Sequence, residues 1–523
     1  MKAKYGGEIL AWQPETGVAV LQLSPKETER VRAESLAGKV SQQAVAIEPK
    51  ASVTSPEVEA QGSNAWAGGG MLGRGGSTSA LPGTLPGQNA LSWYQISLYR
   101  AHGISRKFGA GVKVAVIDTG LDLTHPMFKN RLAPATEWRD FIDNDNNPQE
   151  VSGGKSYGHG TAVAGLILQV APRTTILPIR VLGSDGRGDT ARIISAIDYA
   201  IGAGAQVINL SLGTNGWTSA LYTICGAAKQ KGVRIVASSG NNGMKDGITS
   251  PAQYSWSPDT VGFSFGIGSV DANDNLSSFS NYGAALYATA PGEKLYTAFP
   301  DKQVATSTGT SFAAPLFTGA IALAYSEMPN AADRANLQTY LWNSLDFTVN
   351  EKNKGKSTNV QRLNLEKLIR NLPGFTLPTQ IQPGDYGLVN TNSRKCLDVS
   401  GASTSSGANV QQWTCHGGAN QRWRIERAGS YYKLTSVNSG KALDVAGGPS
   451  ATGTGANVDQ ADYVASTNQQ WLIQPSGSNY QIVAAHSGKC VDVASSGTAD
   501  GTNVQQWDCN GTGAQQWQLF ALF

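Results

Sequence analysis

Charge is scarce in this chain. Only 15% of its 523 residues are Asp, Glu, Lys or Arg, too few for a coiled coil or a charged tail. The 41 basic and 38 acidic residues nearly cancel, so neither nucleic acid nor an anionic membrane surface is indicated as a partner. No apolar run is long enough to span a bilayer, and the N-terminus lacks the charged start and apolar core of a signal peptide. Cysteine is limited to five residues. Against these scarcities stand 61 glycines, which suit an α/β or all-β extracellular protein built on tight turns. The length exceeds what one core organises and points to two or three domains.

The stretch STGTSFAAP, Ser307 to Pro315, leads into an apolar, small-residue run with the pattern of a buried helix. Ser311 then falls in that helix's first turn, where the positive end and unpaired amides face developing negative charge. A serine hydroxyl is a weak nucleophile unless a base and an oxyanion site accompany it; otherwise such a serine merely caps a helix. VKVAVIDTGLD reads as a buried strand ending in Asp118 at a glycine turn, and YGHGTAVAGLILQVAP places His159 between glycines at the start of an apolar helix. Each could be a turn or helix-start residue, but Asp, His and Ser in this order form one of the known chain orders for a single catalytic geometry. TTILPIRVL, AQVINLSL and VRIVASSG alternate with helical stretches. That alternation predicts α/β architecture, a doubly wound and mostly parallel sheet with its site at the strands' C-terminal ends.

DTG, GHGT and GTSFAAP together resemble the signature blocks of the subtilisin-like serine proteases, over about Trp93 to Ser344. The resemblance implies Ser311 as nucleophile, His159 as general base and acid, Asp118 as its orienter and Asn241 of VASSGNNG as oxyanion donor. It also implies main-chain substrate binding by Ser211, Leu212 and Gly213 and by Ala237, Ser238, Ser239 and Gly240. With no evident buried charge in the pocket walls, a broad preference for apolar or medium-sized residues before the cut is expected. Phe312, Leu316 and Ala162 depart from the common pattern and are expected to alter packing alone. Met127 stands where many relatives carry a calcium-ligating Asp, and a thioether is a poor ligand for a hard cation. The metal content is therefore unknown. Asp140 to Pro148 offers oxygens for a weaker calcium site, or simply an Asx-rich turn. No cofactor is required for the chemistry; a structural calcium is the one considered.

Residues 1–60 resemble the closing half of an inhibitory prosegment, a partial α+β unit with a hairpin in GGEILAWQPETGVAVLQLSPKE and a strand in AVAIEPKA. Residues 61–89 are a Gly/Ser/Pro-rich linker, with processing expected between Pro82 and Ala90. The catalytic domain is placed at 90–370, and 371–384 form a Pro-punctuated second linker.

Residues 385–523 contain a threefold repeat. KCLDVSG, KALDVAG and KCVDVAS put Cys396, Ala442 and Cys490 at separations of 46 and 48, and QRW, QQW and QQW close the units at Trp423, Trp471 and Trp517. The tripled motif resembles the ricin-B-type β-trefoil, a carbohydrate-binding fold. The resemblance implies sugar contacts from Asp398, Gln411, Trp413, Asn420 and Gln421 in the first unit. In the third it implies Asp492, Gln505, Trp507 and Gln515. The second keeps Asp444, Asn468 and Gln469 but has Ala461 where a stacking ring belongs, so it ranks last; a trefoil that no longer binds sugar is the bland alternative. Within the repeat, Cys396 matches Cys415 and Cys490 matches Cys509 as disulfides, which favour an oxidising compartment; Cys225 is left as a buried thiol.

The expectation is a secreted, monomeric serine endopeptidase acting on protein or peptide substrates and carried to glycans or glycoproteins by its trefoil, with no nucleic-acid or membrane partner. An imidazole must be neutral to serve as base, so activity should fall as pH drops through about 6.5. The competing readings are a lectin on an inert protease-like scaffold and a protease dedicated to one precursor.

Overall fold

The computed structural model describes residues 8–13, 18–36, 52–54, 89–257, 260–328, 330–347, 361–378 and 380–522. The strand expected over AVAIEPKA, the linker up to residue 88 and nearly all of the expected processing window lie outside them. The chain forms two compact units. One contains residues up to 78 and 109–363, the other 79–108 and 364–523.

In the first unit the N-terminal hairpin pairs Glu8–Gln13 with Val18–Gln22. A helix not foreseen from the sequence follows over Pro25–Leu36. Its start is a capping box: the Ser24 amide donates to Glu27 Oε2 at 2.9 Å and the Glu27 amide to Ser24 Oγ at 3.3 Å, with Pro25 in the first turn, where no amide donor is needed. The body of the unit runs β1 (Lys113–Asp118), β2 (Arg139–Asp140), α1 (His159–Val170), β3 (Thr175–Arg180), β4 (Arg187–Asp189), α2 (Thr190–Gly202), β5 (Val207–Leu210), α3 (Ser219–Gln230), β6 (Arg234–Ser238), β7 (Phe265–Val270), β8 (Ala288–Pro291), α4 (Thr310–Glu327), β9 (Asp346–Phe347) and β10 (Gln361–Arg362). A nine-stranded sheet is ordered β9-β10-β8-β7-β6-β5-β1-β3-β2, parallel throughout except for the β9–β10 pair. The chain winds outward in both directions from β1, so β1 ends at a topological switch point. Ile117, Ile179, Ile208 and Ile235 of the strands pack with Ile193, Ile197 and Ile224 of α2 and α3 in one buried cluster. Helix α4 is buried on every side from Thr310 to Ser326. That suits its uniformly small and apolar sequence and makes it a central rather than a surface helix.

In the second unit twelve antiparallel strands form the trefoil, four per repeat. Trp423, Trp471 and Trp517 are fully buried, and each indole Nε1 donates to one carbonyl, of Leu397, Leu443 and Val491 respectively, at 3.1 Å. The repeats are also closed by a ring of amides: Asn409 donates to Asn503, Asn503 to Asn457 and Asn457 to Asn409, each at 2.9 Å. Ala90–Phe108, expected to open the catalytic domain, falls in this unit. Tyr99 and His102 pack on Phe520, the Tyr480 hydroxyl donates to the Gly103 carbonyl, and the Leu365 amide donates to the Ile96 carbonyl at 2.9 Å. The disulfides Cys396–Cys415 and Cys490–Cys509 are formed, and Cys225 is a free buried thiol whose proton burial holds firmly in place.

Candidate active site

Strand β1 delivers Asp118 to the sheet's C-terminal edge, where its Oδ1 accepts from the Thr119 amide at 2.7 Å. His159 is the first residue of α1. Its Nδ1 lies 2.6 Å from the same Asp118 oxygen, with both side chains buried. A carboxylate there can only accept, so Nδ1 carries the proton and Nε2 is the basic nitrogen. The approach of strand end and helix start depends on two glycines. Gly120 has φ +108°, and a Cβ on Gly160 would stand 2.1 Å from the Gly120 carbonyl oxygen and 3.1 Å from Asp118 Cβ. Phe312, from the turn that carries the serine, lays its ring 5.4 Å from the imidazole centroid.

Ser311 is the second residue of α4 and is buried. Its hydroxyl donates to the Ser211 carbonyl at 3.3 Å, and the Ser211 hydroxyl donates to the Ser311 carbonyl at 2.7 Å. Ser211 is held in turn by Asn209 at 3.0 Å. Asn241 meets the same helix start: its Oδ1 accepts from the Thr310 amide at 2.9 Å and from the Thr310 hydroxyl at 2.8 Å. This leaves Nδ2 as the donor end of the amide.

The predicted peptide-binding segments behave differently from one another. Thr249, which the sequence reading missed, ties them together: its hydroxyl donates to the Ser238 carbonyl at 3.1 Å, its amide to the Ser239 carbonyl at 3.1 Å, and a Cβ on Gly213 would stand 2.5 Å from its Oγ1. Leu212 is buried beside Ser211, and Gly240 lends its amide to the Thr310 hydroxyl at 3.2 Å. Ala237 cannot bind an added strand. It lies inside the sheet, paired with Leu210 on one side and Gly266 on the other, so its main chain is already committed. The strand that does receive an extended segment is β4, which pairs antiparallel with Ser52–Thr54 of the same chain.

The Asp140 turn is a poor cation site. Arg180 Nη1 contacts Asp140 at 2.7 Å and Asp143 at 2.6 Å, and the remaining Asp140 oxygen accepts from the Ile142 and Asp143 amides. These carboxylates already have a counter-ion and fit a structural turn. Met127 is buried, as a packing residue. Among the described residues no group of three His, Cys, Asp or Glu side chains is placed to hold a metal.

In the trefoil's first unit, Gln411, Asn420 and Gln421 all donate to Asp398, at 3.1, 2.7 and 3.0 Å, while Trp413 stays 40% exposed nearby. Asp492 with Gln505 at 3.0 Å and an equally exposed Trp507 repeat the arrangement in the third. Gln515 binds the Asn510 amide and the Asp508 carbonyl, the loop clamp that Gln421 makes between His416 and Thr414 and Gln469 between Val464 and Asp462. In the second unit Asp459 stands across from Asp444 where the other units carry glutamine; burial and the Asp444 charge push it up to about 7.

A doubly wound sheet with a buried Asp–His pair and a serine at the start of the central helix defines a serine hydrolase. The subtilase family profile matches residues 109–367, and that of the ricin-type β-trefoil lectin domain-like family matches 374–461 and 467–522. Thermitase of Thermoactinomyces vulgaris is 35% identical over 248 residues, which is 46% of this chain and 82% of thermitase. Subtilisin BL of Lederbergia lenta is 37% identical over 231 residues, 42% of this chain and 79% of that one. Among solved structures, the designed 3-fold symmetric protein ThreeFoil is 49% identical, covers 26% of this chain and 98% of its own, and gives a TM-score of 0.26. The chain belongs to the subtilase family: it is a subtilisin-like serine endopeptidase with a ricin-B-like C-terminal domain.

Proposed function

We propose that this protein is a secreted, monomeric endopeptidase that cleaves peptide bonds through an acyl-enzyme on Ser311 and is concentrated on glycans or glycoproteins by its trefoil. What supports the chemistry is the buried 2.6 Å contact that fixes the His159 tautomer on Asp118. With Nδ1 protonated, Nε2 takes the Ser311 proton as Oγ attacks the scissile carbonyl. It later returns that proton to the leaving amine. The Asn241 Nδ2 group and the Ser311 amide stabilise the oxyanion. None of these steps needs a cofactor.

Substrate lies along β4 as an added strand, a mode that reads the backbone and tolerates many sequences. Pairing of Ser52–Thr54 with this strand supports reading residues 1–60 as an inhibitory prosegment, with 61–89 as the linker cut during processing; the catalytic part is drawn at 109–363 rather than 90–370, since Ala90–Phe108 belongs to the other unit, and the sugar-binding part at 385–523. The exposed Trp413 and Trp507 beside Asp398 and Asp492 support two sugar subsites, and tethering raises the local substrate concentration. Replacing Ser311 with Ala should abolish both peptide cleavage and labelling by a fluorophosphonate. Retained turnover would refute the acyl-enzyme reading.

A further inference from the structure

Glu150 lies outside every segment that the motifs mark, yet it is 94% buried, with 6% of its surface exposed. Its Oε1 accepts from the Thr119 hydroxyl at 2.5 Å and the Gly158 amide at 3.0 Å. Its Oε2 accepts from the Thr161 hydroxyl at 2.8 Å and the Thr161 amide at 3.4 Å. Thr119 follows Asp118, while Gly158 and Thr161 bracket His159. One carboxylate therefore grips the strand end that carries the acid and the helix start that carries the base. Helix α1 has no side-chain cap on its own Gly158, and Glu150 supplies that cap from an earlier loop. Its loop is anchored as well, the Glu150 amide donating to the Leu121 carbonyl at 2.9 Å.

We propose that Glu150 is a positioning residue for the Asp118–His159 pair, holding the two in register only while it is ionised. The reason lies in its partners. Thr119 Oγ1 already accepts from the Gly160 amide at 3.0 Å, and Thr161 Oγ1 from the Asp122 amide at 2.8 Å. Both hydroxyls are thereby oriented to donate to Glu150, and the other two partners are amides. A proton on Glu150 can be accepted only if one threonine hydroxyl reverses and stops donating, and it turns the remaining charge-assisted bonds into weaker neutral ones, so the grip loosens. Burial, the largest influence, and the Asp118 charge lift the carboxyl to about 7 against the pull of these donors. The titratable groups around it are Asp118 on β1, His159 and Tyr157 at the start of α1, and Asp122 on the intervening turn.

This inference rests on the protease reading, and the test separates the two. Full-length enzyme is counted by fluorophosphonate titration, so that misfolded molecules do not enter kcat. Glu150→Gln should lower kcat about tenfold at mildly alkaline pH with KM little changed, the signature of misaligned reacting groups rather than lost substrate contacts. On the acid side, the logarithm of kcat/KM should climb with a slope near two in the wild type, one proton each from His159 and Glu150, and near one in the variant. Glu150→Asp, which keeps the charge, should restore the steeper slope with reduced kcat; if the Gln variant yields no titratable enzyme, the Asp variant's reduced kcat with KM unchanged carries the test. Unchanged kcat and slope in Glu150→Gln, or in Glu150→Asp an unchanged kcat or a loss confined to KM, overturns the proposal. A wild type that neither takes the label nor cuts peptide overturns the protease reading and this inference with it.

Discussion

Thr310 holds Asn241 by two bonds, its amide at 2.9 Å and its hydroxyl at 2.8 Å both reaching Oδ1. The residue before the nucleophile thus decides which end of the neighbouring amide faces the reaction. Asn241→Ala is expected to lower kcat by about a hundredfold to a thousandfold with KM nearly constant. Thr310→Val, which removes one of the two bonds and the acceptor of the Gly240 amide, should lower it by roughly tenfold. Steady-state hydrolysis of a chromogenic peptide measures both.

Gly160 leaves no room for a side chain, since a Cβ would stand 2.1 Å from the Gly120 carbonyl oxygen. Gly160→Ala should separate Asp118 from His159, abolish activity and destabilise the fold by more than about 2 kcal/mol. Thermal unfolding of the variant in a Ser311→Ala background, where autolysis is absent, reads the stability term. A variant with full activity would contradict the geometry.

Glu150 links stability to pH with a definite sign. Its carboxyl titrates near 7 in the folded protein against an ordinary value of 4.5, so between these values the native state holds a proton that the unfolded state gives up. The stabilisation is complete below 4.5 and disappears as pH rises through about 7, a loss of up to about 3 kcal/mol. In the Ser311→Ala background, Glu150→Gln should therefore gain stability relative to its parent on moving from acid to alkaline pH. Denaturant unfolding at the two pH values checks it.

Trp413 and Trp507 are each 40% exposed, and on the proposed reading they are the rings that stack on sugar. Changing both to Ala should remove glycan retention on an array while leaving hydrolysis of a short peptide unchanged. Cys396→Ala, by contrast, should cost roughly 3 kcal/mol of trefoil stability through lost loop closure, read as an earlier unfolding transition in the full chain.

The legible parts of this molecule were those written in contiguous residues. Asp118, His159 and Ser311 each sit in a short motif whose glycines and apolar flanks announce a strand end or a helix start. The three repeats announce themselves by spacing and by their tryptophans. What stayed hidden depends on contacts between segments. Glu150 lies in a loop with no periodicity, and nothing local reveals that its partners flank the catalytic pair. Thr249 and β4 matter through pairings that only the fold creates. Ala237 looked available because a strand's sequence does not show whether its edges are already taken. The capping box at Ser24 and Glu27 is local in sequence, but the alternating pattern before it masks the helix start.

The ring of Asn409, Asn457 and Asn503 passes its hydrogen bonds in one rotational sense, each amide both giving and receiving. Such a circuit has no spare member. Exchanging one asparagine for another residue breaks two links and strands a donor and an acceptor in the remaining pair, so damage in one repeat is shared by all. Position 461 lies outside that circuit: it is alanine where the other two repeats carry Trp413 and Trp507, and the ring at the axis is complete all the same.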